Sequence, residues 1–189
     1  MDKSVLETKE VIIQTVIAML MEDHNTDHVT VRKIADRIGI GVGLINYHFK
    51  SKDNLLRVAI GRIMADMATG FIASEDSFLS PPLDTLKKML KELYRLAGKY
   101  EKLLQYTLSQ GLLHGDLDTA LYLVPVLKEI FHNQRDEMQL RILALQIILP
   151  LQVTAVCPSG FLIYSGIDLY DEHARDRFID ALVNNLITV

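Results

Sequence analysis

Cysteine, tryptophan and proline are scarce in this chain of 189 residues, which has one Cys, no Trp and five Pro. A single thiol, Cys157, excludes an intrachain disulfide framework. No histidine or basic residue neighbours it in sequence to lower its pKa and make it a nucleophile. Aromatic residues reach only 7%, so the core has to be built from Leu, Ile, Val and Met, which an apolar content of 49% supplies. Alternating strand patterns are rare. The ten glycines are not spaced as a phosphate-cradling loop. A secretory leader is not expected, because Val5–Met21 is interrupted by Glu7, Lys9 and Glu10. Together with the lone thiol this points to a cytoplasmic, all-α chain.

What is present is concentrated in Thr30–Lys52. Val31, Ile34, Ala35 and Ile38 recur at helical spacing and give one apolar face. Thr30 stands where a hydroxyl can accept from a free N–H of the first turn. Gly39 stands just past the last periodic residue, where a left-handed stop needs no Cβ. A second helix follows over Leu44–Phe49, entered through Gly41, Val42 and Gly43, with Ile45 and Phe49 four apart and facing inward. Ser51 ends it and caps a third helix from Lys52. Two short helices over a tight turn are the helix-turn-helix unit, whose second helix fits a DNA major groove.

At Thr30, Val31, Arg32, Ile34, Ala35, Gly39, Gly43, Ile45, Tyr47, His48, Phe49, Ser51, Lys52, Asp53 and Leu55 the chain resembles the TetR family of bacterial transcriptional regulators. It departs from the family pattern at Gly41 and Val42, where Ser and a basic residue are common, and at Asn46, where Tyr is usual. The resemblance covers the first third of the chain. It implies an N-terminal DNA-binding domain, a helical C-terminal domain holding a small-molecule pocket, a homodimer on an inverted-repeat operator, and repression relieved by the ligand. It places Thr30, Gly41, Val42, Gly43, Leu44, Asn46, Tyr47, His48 and Lys52 at the DNA. The side-chain chemistry agrees. Asn46 can bond adenine at N6 and N7, Val42 and Leu44 can meet a thymine methyl, and Tyr47, His48, Thr30 and Lys52 suit phosphate oxygens.

Charge distribution supports this division. The chain carries a net −4. Yet seven basic residues face three acidic ones between His24 and Arg62, a local +4, while Ile63 onward carries −5. A basic reading unit and an acidic body are the expected electrostatic footprint of a DNA binder.

The remaining chain reads as helices. Ser4–Asp23 precedes the motif, with Ser4 and Glu7 as a capping-box signature and Thr8 an equally good cap. Asp53–Ser74 is a long rod, and Ser77–Pro82 marks a break after it. Leu83–Lys99 and Glu101–Leu113 follow. Asp116 can cap a helix to Asn133, kinked at Pro125, and Glu137–Val156 should kink at Pro150. Pro158–Tyr170 reads mostly as a loop, and Glu172–Ile187 as the last helix. Ile142–Ile167 carries no charge, which raises a membrane span, since about 20 apolar residues suffice. Gln146, Pro150, Gln152, Thr154, Pro158 and Ser159 favour burial in the domain and a dimer interface instead, so no membrane is expected.

The expected architecture is therefore a three-helix helix-turn-helix domain over residues 1–56 and a helical ligand-binding and dimerisation domain over 57–189. Met89, Leu93, Tyr106, Leu113, Tyr122, Phe131, Gln146 and Gln152 are candidate walls of its pocket, the two amides as buried groups needing partners. No cofactor, metal or catalytic residue is expected. His24 and His28 are four apart but lack a third ligand, and no Ser, His and acid arrangement stands in a recognisable context. Two alternatives remain: a helical ligand-binding protein that does not bind DNA, and an enzyme on a helical scaffold.

Overall fold

The computed structural model describes residues 3–23, 25–73, 80–115 and 117–187. They contain helices and connecting turns, and no strand among the described residues. The chain divides into two compact units, Met1–Met64 and Ala65–Val189.

In the first unit, α1 (Lys3–Glu22) leads through a single 3-10 turn at Thr26–His28 into α2 (Val31–Ile38) and α3 (Val42–Phe49). The start of α4 (Lys52–Ala73) completes it, and that helix continues into the second unit. Ile12, Val16 and Leu20 of α1, Ile34 of α2, Ile45 and Phe49 of α3, and Leu55 and Leu56 of α4 are buried. These are the inward positions that the 3.6-residue period demands, and α1, α2 and α3 pack on one another through them.

The second unit holds α5 (Pro82–Lys99), α6 (Glu101–His114), α7 (Asp118–Leu121), α8 (Val124–Ile130), α9 (Glu137–Val156), α10 (Pro158–Ser165) and α11 (Glu172–Leu186). Its core gathers Leu86, Met89 and Leu90 of α5, Val126, Leu127 and Ile130 of α8, Leu140, Leu143, Ala144 and Ile147 of α9, and Ile179 and Val183 of α11. α9 is the hub, touching α5, α6, α7, α8, α10 and α11. It is apolar on nearly all sides, yet only one of its faces is covered by the unit's core, and Met138, Ile142 and Val153 on the other are exposed. It is also the one described helix long and apolar enough to cross a membrane by length and composition.

Two elements differ from the sequence reading. The expected helix to Asn133 is two short ones, because Pro125 does not sit inside a helix but in the first turn of α8, where its missing N–H has no partner to lose. The expected loop after Pro158 contains two turns of helix: Pro158 starts α10, and Gly166, at φ 72°, ends it in a left-handed cap. α9 runs unbroken from Glu137 to Val156 with Pro150 inside it. Its start is fixed by a capping box, with Asp136 Oδ1 accepting from Gln139 N–H at 2.8 Å and Gln139 Oε1 accepting from Asp136 N–H at 3.2 Å. The Ser4 side chain, Ser77 and Asp116, to which the sequence assigned caps and a break, lie outside the described residues.

Candidate nucleic-acid interface

The helix-turn-helix is built by local chemistry. Thr30 Oγ1 accepts from Lys33 N–H at 3.2 Å and satisfies one orphan donor of α2. Gly39 closes α2 at φ 69°, and its N–H reaches Ala35 O. α3 ends at Lys50, held at φ 66°, with its N–H on Asn46 O at 2.9 Å. Ser51 Oγ then accepts from Asn54 N–H at 3.1 Å and starts α4. The Asn54 amide donates back to Phe49 O at 2.9 Å, so the end of α3 is tied to the start of α4. Its other end, Oδ1, accepts from Arg57 Nη2 at 2.8 Å.

An exposed ion pair joins α2 to α1. Arg37 grips Glu22 through both terminal nitrogens, at 2.8 and 2.5 Å. The hydrogen bond from Arg37 holds the Glu22 carboxyl below its ordinary value, and Arg37 is raised in turn. His28 Nδ1 lies 2.5 Å from Asp23 Oδ2, and Lys33 Nζ donates to His28 O at 3.1 Å, which pins the turn before α2. His28 is thereby engaged locally, while His24 lies outside the described residues; no group of metal-binding side chains occurs among the described residues.

α3 has two unlike faces. Ile45 and Phe49 are 1% exposed and face the unit's core. Gly41, Val42, Gly43, Leu44, Asn46 and Tyr47 are exposed, and His48 is half-buried. No side chain caps the N-terminus of α3. A Cβ at Gly41 or at Gly43 would meet nothing within 4 Å, so the chain itself leaves this end bare. Tyr47, 66% exposed, meets His48 edge-on at 5.3 Å between ring centroids, and Lys50 Nζ lies 5.8 Å from the Tyr47 ring centre. Thr30 is exposed and Lys52 half-buried. All nine positions named from the sequence thus fall on α3 or on the helix starts beside it. Among the described residues, Arg32, Lys50 and Lys52 have no carboxylate within ion-pair distance, whereas Arg37 is committed to Glu22 and Arg62 to Glu10 at 3.6 Å. The sequence reading missed Asn54; its signal is an amide three residues beyond Ser51, in the first turn of the following helix.

The residues named as pocket walls do not converge. Met89 is wholly inside the core, and Leu93 and Phe131 pack at its edge. Leu113 is 78% exposed, and Tyr122 also faces solvent. Gln146 is exposed and Gln152 half-buried, so neither is the buried amide the sequence reading assumed. The reason is that α9 is apolar all round, and periodicity cannot tell which of its sides is covered. The Tyr106 side chain lies outside the described residues.

The family model for bacterial regulatory proteins, tetR family, matches residues 13–59, from within α1 to within α4. No curated protein matches the chain.

Proposed function

Because this chain is a DNA-binding transcriptional regulator of the TetR family, we propose that it works as a homodimer that reads an inverted repeat and represses until a small molecule binds its second unit. The observation that carries this reading is α3: packed inward on Ile45 and Phe49, bare outward, uncapped, and bordered by Arg32, Lys50 and Lys52, which have no carboxylate partner among the described residues. An α-helix fits the major groove, and free helix N-termini and lysines fit phosphate oxygens. In this reading Asn46, Leu44 and Val42 meet base edges. Tyr47, His48, Thr30 and Lys52 hold the backbone, and Gly41 and Gly43 let the helix come close.

The dimer rests on α9 and α11. Met138, Ile142 and Val153 form an exposed apolar stripe along α9, on a helix whose opposite face is core. Exposed stripes of this kind mark interfaces, and a two-fold pair of α9 and α11 makes a four-helix contact. The two α3 helices then enter successive major grooves about 34–36 Å apart, or a multiple of that. We read α9 as a core and interface helix rather than a membrane span. Residues 57–189, beyond the reading domain of residues 1–56, serve ligand binding and dimerisation, and α4, which carries residues of both units, transmits the change. Ligand and DNA then weaken each other's binding by one common factor.

The test is selection of duplex DNA by the purified chain, followed by footprinting. The expected result is a two-fold site with half-site centres about 10–10.5 base pairs apart, or a multiple, and affinity that falls steeply with salt. Absence of duplex binding at low salt refutes the proposal.

A further inference from the structure

The second unit contains a cavity of about 160 Å³ that, among the described residues, none of the pocket positions named from the sequence lines. It lies where the end of α5 (Tyr94, Ala97, Gly98), the start of α6 (Glu101, Leu104), the end of α9 (Ala155) and the start of α10 (Pro158) meet Leu169, Tyr170 and Arg175. Its walls are mainly hydrocarbon: Ala97, Leu104, Ala155, Pro158 and Leu169.

One charged side chain in this wall is under-served. Arg175 is only 12% exposed, and its Nε is buried without a hydrogen-bond partner. Its nearest carboxylates stand too far for hydrogen bonds, Glu172 Oε1 at 3.7 Å from Nη2 and Asp176 Oδ1 at 3.8 Å from Nε. Of the five donors of this guanidinium, the Nε–H is the one buried without an acceptor, which is costly. Among the other polar side chains of the wall, Tyr94, Glu101 and Tyr170 each have a hydrogen-bond partner. Tyr170 Oη donates to Glu101 Oε1 at 2.6 Å, and Gln105 Nε2 donates to the same oxygen at 3.0 Å. Tyr94 Oη donates to Thr154 Oγ1 at 3.3 Å, which itself donates to Leu151 O at 3.0 Å. Among the described residues, no acceptor stands within hydrogen-bond distance of Arg175 Nε.

We propose that this cavity binds a small monocarboxylate with a compact apolar body, its carboxylate on the Arg175 guanidinium and its hydrocarbon against Leu104, Ala155 and Leu169. The planar guanidinium fork matches a carboxylate bidentately. The volume sets the size, since a dry cavity of about 150 Å³ accommodates benzene. A benzoate-sized acid therefore fits. The assignment names the effector class of the function proposed above and rests on that reading only for its consequence at DNA.

The experiment is calorimetric titration of the full chain with benzoate, cyclohexanecarboxylate and isovalerate, against the uncharged isosteres benzamide and benzyl alcohol. The carboxylates bind and the isosteres do not. Arg175→Gln weakens carboxylate binding about tenfold to a hundredfold, the loss expected for charge-assisted hydrogen bonds. Ala155→Leu, which fills the cavity and leaves the arginine, abolishes binding and decides the matter should Arg175→Gln fail to fold. No binding by any of the acids up to about 10 mM, equal binding of benzoate and benzamide, or carboxylate binding that survives Ala155→Leu overturns the proposal. A duplex-binding assay run alongside separates the two claims. Carboxylate binding without a change in duplex affinity supports the site and refutes the effector reading. Duplex binding without carboxylate binding refutes the site and leaves the DNA-binding reading standing.

Discussion

Two positions of α3, two residues apart, should give opposite phenotypes when cut to alanine. Tyr47 is 66% exposed, and its ring meets His48 and Lys50 at the surface. Truncating it removes an exposed cation–π contact of about 0.5–1 kcal/mol. For a chain of this size that lowers Tm by about 2–4 °C at most. Against DNA the loss is larger. A hydrogen bond to a charged phosphate contributes about 1.5–3 kcal/mol, and a two-fold dimer loses two of them. The sum, about 3–6 kcal/mol, weakens Kd by a factor on the order of 10² to 10⁴. Ile45 is 1% exposed in the same helix. Ile45→Ala leaves a cavity and costs about 2–5 kcal/mol, which lowers Tm by about 10 °C. Differential scanning fluorimetry and fluorescence anisotropy on a selected duplex measure both quantities. Tyr47→Ala with unchanged duplex affinity, or with a loss no larger than its change in stability, refutes the placement of the DNA face on α3.

Gly39 and Gly43 should respond oppositely to alanine. Gly39 sits at φ 69°, so Gly39→Ala destabilises by about 1 kcal/mol; at Gly43 a Cβ meets nothing, so Gly43→Ala raises Tm through helix propensity, by up to about 1 kcal/mol, without improving duplex binding. Ile142→Asp in the exposed stripe of α9 is expected to yield a monomer in analytical ultracentrifugation, with weakened duplex binding and little change in the circular dichroism of the folded chain. The Glu22–Arg37 pair gives a pH signature. Because the Glu22 carboxyl is held below its ordinary 4.5, its contribution is fully present above that pH and is lost as pH falls through the lower folded value. Thermal melts of Glu22→Gln and the parent chain should therefore differ slightly at neutral pH, less so at high salt, and converge in acid.

The helix-turn-helix was legible because its signals are local. Thr30 caps, Gly39 turns left-handed, and Ile34, Ala35, Ile45 and Phe49 fix the buried faces within a few residues of one another. The second unit was legible in outline, since α5, α9 and α11 follow runs of apolar spacing or composition. Its details depend on contacts distant in sequence. Pro125 reads the same whether it breaks a helix or opens one, and only the placement of α7 and α8 distinguishes them. Pro158–Ser165 has no polar face, so nothing in its pattern marks it as helical. The cavity is assembled from five separate stretches of chain. Arg175 looks from sequence like an ordinary surface base on an amphipathic helix, because the residues that share the cavity wall with it, such as Tyr94 and Leu104, are distant in sequence.

Pro150 gives α9 a property that its neighbours lack. Proline has no N–H, so the carbonyl one turn earlier, at Gln146, misses its rung of the ladder, and Gln146 itself faces outward. Toward the N-terminus of that gap lie Met138 and Ile142; toward the C-terminus lies Ala155, in the cavity wall. A shift at the cavity end can thus be taken up as bending at one already-open joint, with no backbone bond of that rung left to break.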